Sequence, residues 1–142
     1  MSLISPGIQT VQRVLDQISL ASLTPDPNIL RNSCHSMTAS VIHKNINSGA
    51  VQPTDEVVLI GFDNRVFHSF LIRGDKVIYD NSNGIYNHES QTCTYFGEDV
   101  DVVARQSIAD LHRSMRQKIL AQGESITKVD HASKSTLHPR SP

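Results

Sequence analysis

The stretch 57–80 constrains this chain more than any other. Val57-Val58-Leu59-Ile60-Gly61-Phe62 is a short, continuous apolar run of the kind that fits a buried central strand. Asp63-Asn64-Arg65 turns the chain into Val66-Phe67-His68-Ser69-Phe70-Leu71-Ile72, which alternates like a strand with two faces. Arg73-Gly74-Asp75 turns it again into Lys76-Val77-Ile78-Tyr79-Asp80. Upstream, Ile8 to Leu20 reads as an amphipathic helix, with Ile8, Val11, Val14, Leu15 and Ile18 on one stripe. Thr24-Pro25-Asp26-Pro27-Asn28 is a loop. A second helix runs from about Cys34 to Ile46, carrying Met37, Val41, Ile42 and Ile46, and Asn47-Ser48-Gly49 stops it. Downstream, Asn81 to Glu89 is expected to be a loop and Gln91 to Phe96 one more strand. Gly97 to about Leu120 is expected to be a long helix, with Val100, Val103, Ala104, Ile108, Leu111, Met115 and Ile119 on one face. The order predicts an α+β fold: N-terminal helices packed on a small antiparallel sheet, with a long C-terminal helix.

The 142 residues suit one domain, expected over 1–122. Residues 123–142 are rich in Ser, Lys and His and nearly devoid of apolar side chains, so they are expected to form a flexible tail. A formal charge of −1 leaves no electrostatic footprint for nucleic acid. No stretch approaches a membrane span. Gln9, Gln12, Arg13, Asp16 and Gln17 interrupt what would be the apolar core of a secretory signal. The expectation is a protein that is cytoplasmic, one secreted without a cleaved signal peptide, or a domain cut from a larger protein. Two cysteines make no disulfide framework, and a working thiol suits a reducing compartment.

Cys34 is the first chemical landmark. It follows Asn32-Ser33, a pair of good capping residues, and opens the second helix. A helix N-terminus favours thiolate over thiol, by roughly 0.3–1 kcal/mol when exposed and up to about 2 when partly buried. That is too little to form the anion alone, so an imidazolium partner is needed. His68 is the best candidate. His35 is adjacent, but one helical step turns its side chain by roughly 100°, away from the thiol. The third member follows from hairpin parity. A three-residue loop over Arg73-Gly74-Asp75 places Asp80 opposite His68; a two-residue turn over Gly74-Asp75 places Asn81 there instead, unless a bulge restores the parity. Glycine at the first turn position favours the two-residue form. Asp80 is preferred because a carboxylate also stabilises the imidazolium, with Asn81 in reserve. The backbone N–H of Cys34 is one natural oxyanion donor, and a side-chain amide of Asn28, or of Asn32 if it is not occupied as a cap, is the second. Cys93 reads as inert. Cys34, His35, His68 and Cys93 have no zinc-motif spacing, so neither a metal nor a cofactor is expected.

Asn32-Ser33-Cys34 opening a helix, the strand Val66 to Ile72 and the strand Lys76 to Asp80 together resemble the papain-like superfamily of cysteine hydrolases. Within it the compact order looks most like the papain-fold toxin and effector domains, a group that includes the glutamine deamidase domain of Pasteurella multocida toxin. The resemblance covers roughly 28–81. It departs after Asp80, where Asn81-Ser82 stands in place of the Pro-Gln-like continuation common in the group. It implies a Cys34–His68–Asp80 triad acting on a protein substrate, with Cys34 as nucleophile, His68 as base and Asp80 as the orienting acid. The implied reaction is deamidation of a glutamine side chain, with proteolysis or transglutamination as alternatives. A non-catalytic α+β binding module, such as an adaptor, chaperone or immunity-type protein, is the rival from another class.

Overall fold

A computed structural model describes residues 9–24, 34–82 and 84–133, with the backbone alone for 124–133. The elements are β1 (Gln9–Thr10), α1 (Val11–Leu23), α2 (Cys34–Asn45), β2 (Glu56–Phe62), β3 (Arg65–Arg73), β4 (Lys76–Tyr79), β5 (Ile85–Asn87), β6 (Thr92–Tyr95), β7 (Glu98–Ser107) and α3 (Ile108–Ser133). The fold is α+β, with three helices and an antiparallel sheet among the described residues. Strand order is β1-β3-β2-β7-β6-β5, and β4 pairs with β3.

The apolar run of β2 lies at the centre, between β3 and β7, and Val57, Val58, Leu59 and Ile60 are fully buried. Alternate residues serve two cores. Val57, Leu59, Val66 and Leu71 face the helices and meet Val14, Leu15 and Ile18 of α1, Ala39 and Ile42 of α2, and Ile108 and Leu111 of α3. Val58, Ile60, Phe70 and Ile72 face the other way and meet Cys93 of β6 and Val100 of β7, with Phe67, Tyr86 and Tyr95 packed at the edge. Bulges sharpen twist and bend a sheet. One falls at Phe67, an extra residue of β3 between its pairings with Ile60 and Gly61. Another falls at Val103, between the pairings of β7 with Leu59 and Ile60. The sheet therefore curls, and β5 and β6 close over the face that the helices leave open.

Local chemistry accounts for the helix starts and ties. Thr10 caps α1, accepting from the backbone N–H of Arg13 at 3.4 Å. Of the expected stripe, Val14, Leu15 and Ile18 are buried, Val11 is half-buried and Ile8 lies outside the described residues; the helix begins at Val11, after the short strand β1, and extends past Leu20 to Leu23. Ser19 donates to the Leu111 carbonyl at 3.0 Å, and Ser22 Oγ lies 2.7 Å from His112 Nε2, so polar pins join α1 to α3 inside the core. Buried Asp55 accepts two bonds from Arg73, at 2.7 and 2.8 Å, and its carbonyl accepts from the N–H of Ile108, fixing the start of α3.

The C-terminal half departs from expectation. The stretch from Gly97 is not helical at first: Glu98–Ser107 is a ten-residue strand, and the helix begins only at Ile108. Asp99-Val100-Asp101-Val102 alternates with period two, and the open edge of β2 selects that period over the helical spacing of Val100, Val103 and Ala104. Phe96 and Gly97 form the two-residue turn before it, both at positive φ (53° and 80°), which is a type I′ hairpin. The expected loop 81–89 contains the short strand β5. The α3 backbone stays helical through Ser133, so the expected tail from 123 begins as helix, and 134–142 lie outside the described residues. On α2, Met37 is exposed, and the buried face is His35, Thr38, Ala39 and Ile42.

Candidate active site

Strands β1 and β4 share one edge of β3. The first pairs with Arg65 and Val66, the second with Leu71 to Arg73. Among the described residues no strand pairs with the segment between them, Phe67 to Phe70, on that side, and α2 fills the gap with its first turns. Thr38 Oγ1 donates to the Ser69 carbonyl at 3.3 Å, and the Cys34 thiol donates to the carbonyl of the bulged Phe67 at 3.8 Å. An unpaired strand edge capped by a helix N-terminus thus places the sulfur beside His68.

His68 points to the face away from the helices and is 7% exposed. Its Nε2 lies 2.6 Å from Asp80 Oδ1. With Nε2 turned to the carboxylate, Nδ1 is the nitrogen left to serve the thiol. Sulfur and ring are close enough to shift each other's titration, by hydrogen bonding and by charge.

The register explains why Asp80 reaches the histidine. Arg73 pairs with Lys76, so Gly74-Asp75 is a two-residue turn, with Gly74 at φ 64°. That form alone would carry Asp80 to the wrong face. Ile72 pairs with Val77 but Leu71 pairs with Tyr79, so Ile78 is an inserted bulge residue that restores the parity. Asn81 points elsewhere, its amide donating to Met37 Sδ at 3.3 Å. Asn28 and Asn32 lie outside the described residues. The first-turn N–H of Cys34 has no acceptor within its own helix.

Asp80 is held by more than the imidazole. Its Oδ1 accepts from the Ser82 backbone N–H at 2.9 Å, with Ser82 Oγ also at 2.9 Å. Its Oδ2 accepts from the Tyr95 hydroxyl at 3.2 Å, and Ser82 Oγ is 3.0 Å from the same hydroxyl. The Tyr95 ring stands edge-on to His68, with centroids 5.5 Å apart. Gly84 passes so close that a Cβ there would sit 2.1 Å from the ring. Tyr95 and Ser82 carry no signal in the sequence; only the curl of β6 over the sheet brings Tyr95 here. Tyr95→Phe keeps the ring and removes the donor. A hydrogen bond to a charged group contributes about 1.5–3 kcal/mol, so for the hydrolase proposed below kcat is expected to fall roughly tenfold or more with KM little changed, as steady-state rates of the variant will show.

The electrostatics follow from these contacts. Burial would push the Cys34 thiol up, but hydrogen bonding and charge from His35 and His68 outweigh it and bring the thiol down to about 6. Burial would lower His68, but Asp80 and Cys34 together raise it to about 9. For Asp80, burial is outweighed by His68 and Ser82, which hold the carboxyl below its ordinary value. Near neutral pH the trio is therefore thiolate, imidazolium and carboxylate, the charge state of an activated sulfur nucleophile.

His35 also departs from expectation. It is 2% exposed, and its Nδ1 lies 3.6 Å from Cys34 Sγ and 2.8 Å from Ser69 Oγ. Cys93 is fully buried in the second core, where burial pushes its thiol up. Among the described residues there is no group of three or more His, Cys, Asp or Glu side chains able to hold a metal ion, and no helix long and apolar enough to cross a membrane. No family model matches the chain, and comparison with curated proteins and with solved structures finds no match.

Proposed function

We propose that the chain is a papain-like, thiol-dependent hydrolase that modifies a target protein, deamidating a glutamine side chain through Cys34, His68 and Asp80. The observation that carries the reading is the 2.6 Å bond from His68 to a part-buried, fourfold-held Asp80, with Cys34 at a helix N-terminus beside the same ring. In the proposed reaction the Cys34 thiolate adds to the carboxamide carbon, and the oxyanion meets the Cys34 N–H. His68 gives its proton to the departing ammonia, leaving a thioester. His68 then takes a proton from water, whose oxygen displaces the sulfur and leaves glutamate on the target. Both cysteines are free, in keeping with action in a reducing cytosol, as for an effector working inside a target cell.

Incubation with candidate target proteins, read by intact mass, tests the reading. Deamidation gives a small mass gain on an uncut target. Cleavage points to a protease, coupling to an amine points to transglutamination, and no Cys34-dependent change across targets points to a binding module. The pH profile has a defined sign. Activity is lost below about 6 as the thiolate takes up a proton, and above about 9 as the imidazolium loses its own. A plot of kcat/KM against pH is therefore expected to be a bell with its plateau between those limbs, both belonging to the coupled pair.

A further inference from the structure

We propose that His35 is a positioning residue for the nucleophile, a second imidazole that supports the Cys34 thiolate from the helix-facing side of β3 while His68 supports it from the other. The proposal rests on the reading of Cys34 as a working thiol. Its starting point is the hydrogen-bond chain under the sulfur. Thr38 Oγ1 donates to the Ser69 carbonyl at 3.3 Å, and Ser69 Oγ donates to Thr38 Oγ1 at 3.2 Å. The one hydroxyl proton of Ser69 is thereby committed. At 2.8 Å from Ser69 Oγ, His35 Nδ1 must then be the donor, which places a hydrogen on that nitrogen. Held this way, the ring stands against the sulfur, with Nδ1 3.6 Å and Nε2 4.0 Å away.

The placement is specific to this fold. His68 and Ser69 are consecutive on a strand and point to opposite faces. Cys34 sits at the open edge between those faces, against the Phe67 carbonyl. The two rings therefore approach the sulfur from opposite sides. Ser69 and Thr38 are fully buried and His35 nearly so, so the second imidazole is held in a dry environment where its charge or dipole acts strongly. The other ionisable groups around the sulfur are His68 on β3 and Tyr79 and Asp80 at the end of β4. Asp80 is bonded to His68, and Tyr79 is held neutral by burial and by the charges of Asp80 and Cys34. His35 and His68 are thus the two groups in this set that lower the thiol.

The test is the rate of Cys34 alkylation by iodoacetamide against pH, read at peptide level so that Cys93 does not contribute. His35→Asn keeps a donor for Ser69 and removes the second nitrogen. The expected result is an acid limb moved upward by about one pH unit, with the far-ultraviolet circular dichroism and Tm close to those of the parent. His68→Ala is expected to move the limb as well, and His35→Asn combined with His68→Ala to bring it near the ordinary cysteine value of about 8.5. A limb unmoved in His35→Asn but moved in His68→Ala overturns the role of His35 and leaves the triad standing. A parent whose limb already lies at the ordinary value overturns both.

Discussion

Cys34→Ala is expected to abolish the proposed modification of a target protein, lowering kcat by on the order of 10⁴–10⁶. No other side chain among the described residues can take over: Cys93 is fully buried on the far side of the sheet, and its thiol is pushed up rather than down. Cys34→Ser is expected to fail almost as completely, because an alcohol keeps its proton at the pH where this thiol has lost it. His68→Ala removes both the base and the partner charge and belongs in the same range. Members of such a unit are non-additive, so Cys34→Ala combined with His68→Ala is expected to be no slower than either alone. Since Cys34 is partly exposed and opens its helix, the single variant should fold with a stability within about 1 kcal/mol of the parent. Rates on a glutamine-bearing target and a thermal melt decide both points.

Phe70→Ala is expected to cost about 3–5 kcal/mol of stability, the usual range for emptying an aromatic site in a closed core. Phe70 is 0% exposed on the face that β5 and β6 cover, and its ring stands edge-on to Tyr86 at 5.5 Å. It also lies 6.1 Å from the His68 ring, so the cavity opens directly beneath the proposed base. Urea denaturation is expected to show a lower midpoint with an unchanged slope. Phe96→Ala is the internal control: Phe96 is fully exposed at a hairpin tip and should change stability by no more than about 0.5 kcal/mol. A small loss at Phe70 would mean that the curled half of the sheet does not close over this face in solution.

The two variants also mark where sequence reading succeeds and where it stops. The run Val57 to Ile60 is apolar at every position because both its faces are covered, and that alone identifies the central strand. The stripe of α1 and the cysteine at the head of α2 are equally legible, because each depends on local spacing and capping. Asp80 is a subtler case. The glycine turn at Gly74 is readable, yet taken alone it sends Asp80 to the wrong face. The bulge at Ile78 corrects this, and nothing in Lys76-Val77-Ile78-Tyr79 announces it. In Asp99 to Ala104 two periods coexist, and the vacancy beside β2, a tertiary feature, chooses the strand. His35 is missed because rotation about a helix axis fixes where a Cβ points, not where two further torsions carry the ring once Ser69 offers it a partner. Tyr95 and Ser82 are invisible for a plainer reason: their contact with Asp80 depends on sheet curvature.

The proposed chemistry requires an ion pair between sulfur and imidazole, and the nitrogen-15 shifts of His68 report it directly. At pH 7.5 both ring nitrogens are expected to carry protons, and the titration should come only near pH 9. In Cys34→Ala, where one of the groups raising it is gone, the same histidine should titrate at lower pH. A neutral His68 ring at pH 7.5 in the parent protein, unchanged when the sulfur is removed, would contradict the account.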